Sequence, residues 1–170
     1  TFPSYQAADI PKLSRQYLPR NFKAMIKAIL EVEAPLSEEL LLRRIVWLFD
    51  REKVTKVVWQ AYEQQMYGYQ RYGIIRRNGF LYLNAGREIQ FRAPGDIERD
   101  IKQIAPEELA AGMLEILKQN VTADKAGLYR SLALQCGVNR VGKAINEALD
   151  SALLLLKDSI AIDGDQLSII

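Results

Sequence analysis

The chain has 170 residues, of which 49% are hydrophobic and 26% charged, and its net charge at pH 7 is +2. This composition is typical of a globular chain that builds its own core. With no histidine and one cysteine, Cys136, the chain has no internal disulfide and lacks the Cys/His set of a zinc site. The missing histidine also removes the commonest general base, and no glycine-rich phosphate loop occurs. We therefore expect a non-enzymatic chain without metal or cofactor, although catalysis by carboxylates or lysine stays open.

The charge is divided unevenly along the chain. Residues 1–95 carry 15 Lys/Arg and 9 Asp/Glu, whereas residues 96–170 carry 8 and 12. This split suggests that only the first half meets a polyanion. The longest apolar run, Ala152–Leu156, is too short for a membrane span, and no signal peptide is visible. We therefore expect a cytoplasmic location without membrane contact. Because the chain begins with Thr1, we also expect a piece of a longer protein.

The first predicted elements are three helices, preceded by an extension over residues 1–20. Asn21 is placed to cap the first helix, which Ala34-Pro35 ends because the residue before a proline leaves helical geometry. Ser37 is predicted to cap the second helix. The third helix is expected to begin at Thr55 and run to about Tyr72, with Gly73 as its stop.

A hairpin is predicted after these helices. The β-prone runs around Asn78-Gly79 match a two-residue turn with positive φ at both positions. Ala93-Pro94-Gly95-Asp96 then marks a break, and the isoleucines at 97, 101 and 104 predict a short helix within a linker over 94–105.

The same order recurs in the last third of the chain. We predict helices from Pro106 to about Asn120, from Thr122 to near Gly137 and over about 139–156, followed by a hairpin over 159–169 around Asp163-Gly164. Shifting the sequence by 87 residues also superposes the two regions, for example Leu41 on Leu128 and Lys56 on Lys143.

Helix, helix, helix and hairpin is the order of a winged helix, a variant of the helix-turn-helix. The predicted fold is therefore mainly α with small β-hairpins (α+β), in tandem winged-helix modules over residues 21–93 and 106–170.

Nucleic-acid contacts are predicted on the first module. In a winged helix the third helix enters the major groove and the hairpin touches the backbone. Val54, Val58, Ala61, Tyr62, Met66 and Tyr69 form its apolar stripe, which we assign to the core. Basic, amide and phenol side chains are predicted opposite this stripe and on the hairpin, and we expect them to contact phosphates and base edges: Lys56, Gln60, Gln64, Tyr67, Arg71, Arg76 and Arg77. A solvated polar face is the alternative, which Glu63 favours.

The second module differs in charge. Its third helix offers Glu147 and Asp150 on the polar face, and its hairpin carries Asp163 and Asp165. These carboxylates repel phosphates, so we expect this module to act as a scaffold or a protein-contact surface. The apolar Leu154 on the same face fits that role.

The sequence also resembles a known family. Residues 29–39, ILEVEAPLSEE, followed by Arg43-Arg44-Ile45 resemble the "VEgPvheeelarRI" signature of the DUF3320 family, and residues 136–145, CGVNRVGKAI, resemble its "lGfkRtGkrI" element. Residues 3–8, Phe91-Arg92 and residues 104–109 fall where the family has similar elements. The chain departs from the family between Phe49-Asp50 and Thr55-Lys56, where the family tends to have glycine.

The resemblance implies an accessory domain at the C-terminus of a large bacterial protein similar to superfamily 1 DNA helicases, often with a Vsr-like endonuclease segment. It assigns no catalytic residue to this chain. We thus expect a non-catalytic DNA-binding accessory domain attached through its second module to the rest of a parent protein. The alternative is a module for protein–protein interaction or homodimerisation without direct DNA contact.

Overall fold

The computed structural model describes residues 1–13, 22–120 and 122–170. It is a mixed α/β structure that divides into two compact units. We call residues 6–87 the N-terminal unit, and residues 88–170 together with residues 1–5 the C-terminal unit. The predicted modules, 21–93 and 106–170, overlap these units but have different bounds. Asn21, the predicted helix cap, lies outside the described residues.

The N-terminal unit begins with α1 (Lys23–Glu33), which ends where Ala34 becomes extended. After β1 (Leu36–Ser37), α2 (Glu38–Leu48) starts with the Ser37 hydroxyl accepting the Leu40 N–H, as the sequence predicts. The third helix, α3 (Lys56–Gln65), has Thr55 as its cap. β2 (Ile74–Arg77) and β3 (Phe80–Leu83) form the hairpin, and β1 joins them in an antiparallel sheet of order β1-β3-β2. Asn78 and Gly79 both have positive φ, as the turn prediction requires.

The predicted end of the third helix is wrong. α3 ends at Gln65 rather than near Tyr72, because Gly68 adopts a left-handed conformation with φ of 70° that stops the helix. A 3₁₀-helix, Tyr69–Tyr72, follows and is itself ended by Gly73, also at φ of 70°. Of the predicted apolar stripe, Val58, Tyr62 and Met66 are buried, whereas Val54, Ala61 and Tyr69 are half-buried.

The C-terminal unit repeats this arrangement. A 3₁₀-helix, Ile101–Gln103, precedes α4 (Pro106–Asn120), β4 (Thr122–Asp124), α5 (Lys125–Gln135) and α6 (Lys143–Leu154). The hairpin strands β5 (Ile160–Asp163) and β6 (Gln166–Ile169) pair with β4 in the order β4-β6-β5. The core contains Leu109, Met113, Leu117, Leu128, Leu132, Leu149 and Leu167, with Phe91 and Ile101 from the segment before α4.

Two predicted helix starts in this unit are wrong. Residues from Thr122 form a strand, because they pair with β6, and Asp124 rather than Thr122 caps the helix through the Gly127 N–H. The third helix starts at Lys143 rather than near Asn139, with Gly142 as its N-cap residue. The predicted span of α4 and both predicted hairpins are confirmed.

Residues 1–5, predicted as part of an extension, belong to the C-terminal unit. Ser4 forms a parallel bridge with Ala93, and the Tyr5 N–H donates to the Ala93 oxygen at 2.8 Å. The Asp96 N–H donates to the Tyr5 oxygen at 3.0 Å. A Cβ at Gly95 would lie 2.2 Å from that oxygen, so only glycine permits this approach.

The repeat predicted at an offset of 87 residues coincides with matching elements. α2 and α5 begin 87 residues apart, at Glu38 and Lys125, and α3 and α6 do so at Lys56 and Lys143. The strands of the two hairpins begin 86 residues apart. No helix among residues 1–13, 22–120 and 122–170 has the length and apolar character that crossing a membrane requires.

Candidate nucleic-acid interface

The exposed side of α3 carries the first three predicted contact residues. Lys56, Gln60 and Gln64 are exposed, whereas Val58 and Tyr62 on the opposite side of the helix are buried. This division follows from the helical repeat, since residues four apart fall on one face. The helix therefore presents one cation and two amide side chains to solvent.

Tyr67 and Arg71 do not lie on this helix face. Both are exposed, with Tyr67 at 85%, but they belong to the segment beyond the end of α3 that contains Gly68 and the 3₁₀-helix. They line a shallow depression together with Glu63 of α3 and Arg76 of β2. The turn thus brings them beside the helix and hairpin residues.

Arg76 is held by carboxylates of its own unit. Its Nη2 lies 2.5 Å from Glu63 Oε1, its Nη1 donates to Glu63 Oε2 at 3.0 Å, and its Nε pairs with Glu38 Oε1. The guanidinium carbon also lies 5.8 Å from the centre of the Tyr62 ring, and the Tyr62 hydroxyl donates to Glu38 Oε1 at 2.7 Å. We call Glu38, Tyr62, Glu63 and Arg76 the hairpin clamp, because it joins β2 to both α2 and α3.

The electrostatics of the hairpin clamp follow from these contacts. The hydrogen bond from Arg76 lowers the pKa of Glu63, and the same bond raises the pKa of Arg76. Burial, followed by the hydrogen bond to Glu38, raises the pKa of Tyr62. Arg76 is therefore a cation whose charge is balanced within the fold, which disfavours the predicted phosphate contact.

Arg77 points away from the clamp, as alternation along a strand requires. It is exposed, and its guanidinium carbon lies 4.8 Å from the centre of the Tyr82 ring. Two further basic side chains that the sequence reading did not select, Arg51 and Lys53, are exposed just before α3. The sequence could have indicated both as contact residues, because they stand immediately before the predicted start of the third helix.

The C-terminal unit carries different chemistry at the matching positions. Lys125, at the position of Glu38, pairs with Asp150, at the position of Glu63, at 2.8 Å. The hydrogen bond from Lys125, followed by one from the Tyr129 hydroxyl, lowers the pKa of Asp150. Ile162 pairs with Leu167 as Arg76 pairs with Leu81, and it is exposed. Because Ile162 is uncharged, the Lys125–Asp150 pair joins α5 to α6 without a cation at the hairpin position that Arg76 occupies in the N-terminal unit.

Cys136 offers no reactive thiol, since it is buried and burial raises its pKa to about 12. Throughout residues 1–13, 22–120 and 122–170, no three acidic or cysteine side chains are grouped as ligands of a metal ion would be.

Comparison with known proteins returned no match for this chain among models of protein families, curated proteins or solved structures. The resemblance to DUF3320 therefore stays a prediction.

Proposed function

We propose that the chain is a non-catalytic pair of winged-helix modules and that the N-terminal unit binds DNA. The winged-helix assignment is supported by the order helix, strand, helix, helix, strand, strand in each unit, and by sheets in which the first strand pairs with the last. The first strand, missed in both copies by the sequence reading, supplies the third strand of each sheet.

One observation carries the DNA-binding proposal. The exposed residues Lys56, Gln60 and Gln64 of α3 stand in the same unit as the exposed Arg77 of the hairpin, the two elements that a winged helix applies to DNA. Lysine and arginine supply phosphate contacts, and glutamine pairs with adenine edges. In this proposal Arg76 positions the hairpin instead of contacting phosphate.

The proposed role of the C-terminal unit is that of a scaffold. Its third helix has Glu147 and Asp150 where the N-terminal unit has Gln60 and Glu63, and its hairpin turn carries Asp163 and Asp165. The resemblance to DUF3320 supports placing the whole chain as an accessory domain in a larger helicase- or nuclease-like protein of the bacterial cytoplasm.

The test is fluorescence anisotropy with a labelled duplex in a series of salt concentrations. We expect Lys56→Ala and Arg77→Ala each to weaken binding, and each to reduce the slope of log K against log salt by about one. Lys143→Ala is the matched control, because Lys143 is exposed and occupies in α6 the position of Lys56 in α3. Equal loss of affinity in the Lys56 and Lys143 variants, or a duplex affinity unchanged by both Lys56→Ala and Arg77→Ala, contradicts the assignment.

A second candidate function is dimerisation or protein binding through the C-terminal unit. Leu154 on α6 is 73% exposed, and Ile162 on β5 is exposed as well. Light scattering over a range of protein concentrations tests this candidate. A mass that rises with concentration and returns to that of the monomer in Leu154→Ser supports it, whereas a constant monomer mass contradicts dimerisation.

A further inference from the structure

A cavity of about 240 Å³ lies in the N-terminal unit between α1 and the segment that follows α3. Its floor is apolar and is made by Ile26, Met66 and Ile74, all of which are buried. The proposed nucleic-acid contacts do not use this cavity.

Two tyrosines form a wall of the cavity. Tyr69 and Tyr72 belong to the 3₁₀-helix that lies between Gly68 and Gly73, and both glycines have φ of 70°. Since side chains other than glycine rarely adopt this conformation, the two glycines allow the short helix to bend back beside α1. The two glycines therefore fix the position of this wall relative to α1.

The mouth of the cavity is cationic. Lys23 and Lys27 line it from α1, one helical turn apart, and none of the described residues that line it is an aspartate or a glutamate. Lys23 Nζ lies 4.9 Å from the centre of the Tyr72 ring and 3.4 Å from its hydroxyl oxygen. Lys27 pairs with Glu31 on the solvent side at 4.0 Å, and such exposed pairs contribute little.

The lining selects one ligand chemistry. An apolar floor and aromatic walls accept a ring, while ammonium groups at the mouth attract an anion attached to it. The volume lies below the roughly 300–1,000 Å³ of sites for drug-sized ligands, so the ligand has a single ring. We propose that this cavity binds a small aromatic carboxylate. The proposal goes beyond nucleic-acid binding and does not depend on it.

The test uses phenylacetate and its neutral amide, phenylacetamide, as probes in NMR titrations of the whole chain. We expect phenylacetate to bind with a Kd of about 1 mM, as suits so small a ligand, and to shift the amide resonances of residues 23–27 and 66–74. The amide probe should bind about tenfold more weakly, because it lacks the charge that the lysines attract.

Two variants and one control separate the effect of charge from that of cavity shape. Lys23→Gln with Lys27→Gln should weaken phenylacetate binding about tenfold and leave phenylacetamide binding unchanged. The control is Lys12→Gln with Lys53→Gln, which makes the same change of charge at exposed lysines that do not line the cavity. This control should alter the binding of neither probe. Ala24→Phe places a ring at the exposed mouth and should abolish both.

Three results overturn the proposal: equal affinity for the two probes, equal losses in the two lysine pairs, or resonance shifts outside the cavity. Because the readout is direct binding of the probe, it is separate from the anisotropy test of DNA binding.

Discussion

Replacing Arg76 by Met removes the cation of the hairpin clamp while keeping a side chain of similar length over Tyr62. The side chains of Arg76 and Glu38 are 28% and 11% exposed, and that of Glu63 is 51% exposed. The pair with Glu63 faces water and contributes about 0.2–1 kcal/mol.

The ion pair of Arg76 with Glu38 contributes more to the stability of the N-terminal unit than the pair with Glu63. Stranding a buried charge costs about 3–5 kcal/mol, but here the Tyr62 hydroxyl still donates to Glu38 at 2.7 Å and water reaches part of the carboxylate. We therefore expect the N-terminal unit to lose about 2 kcal/mol of stability, which lowers its Tm by roughly 8–16 °C.

Both tryptophans of the chain, Trp47 and Trp59, lie in the N-terminal unit, so their fluorescence during urea unfolding reports on that unit. We expect the midpoint of Arg76→Met to fall by about 1 M urea. Arg77→Met is the matched control and should cost less than about 1 kcal/mol, because Arg77 is exposed and an exposed cation–π contact, such as that with the Tyr82 ring, contributes about 0.5–1 kcal/mol. An unchanged midpoint for Arg76→Met, or an equal shift in the control, refutes the reasoning.

The C-terminal unit provides three further predictions. Burial alone would raise the pKa of Glu108, but hydrogen bonds from Arg99 and Arg92 hold this pKa below its usual value. The contribution of Glu108 to stability is therefore present above about pH 4.5 and is lost as the pH falls through the pKa of the folded state. Glu108→Gln should flatten this pH dependence, as measured by hydrogen exchange of residues 88–170. Gly137→Ala, at φ of 78°, should cost about 1 kcal/mol in thermal unfolding, an expectation that an unchanged Tm would contradict. Because the pKa of Cys136 is about 12, its thiol should react with a disulfide reagent at pH 8 only as the unit unfolds in urea, whereas immediate reaction in the folded chain would show that it is accessible.

Local signals in the sequence predict much of this fold correctly. Pro106 marks the first residue of α4, Ser37 caps α2, and Asn78-Gly79 forms the hairpin turn. Each of these features depends on the backbone preferences of one or a few neighbouring residues, so a single sequence suffices to locate them. The same holds for the burial of Val58 and Tyr62 on α3, which follows from helical spacing.

Nonlocal pairing accounts for what the sequence reading missed. β1 and β4 have only two and three residues, and they form strands because β3 and β6 lie alongside them. Residues 1–5 likewise become part of the C-terminal unit through contacts with distant residues, which are backbone hydrogen bonds to Ala93 and Asp96 and the packing of Phe2 against Phe91. Patterns within a short window of sequence contain no information about such distant partners.

In the candidate interface, too, some features follow from local sequence and others from contacts between distant residues. The sequence by itself determined that α3 has a polar face with Lys56, Gln60 and Gln64, because helical geometry fixes which side chains share a face. Only the tertiary structure decided that the charge of Arg76 on β2 is balanced, because it places Glu38 of α2 and Glu63 of α3 beside the guanidinium group. The charge of a side chain is set by its chemistry, but its availability to a ligand depends on which distant carboxylates the fold places beside it.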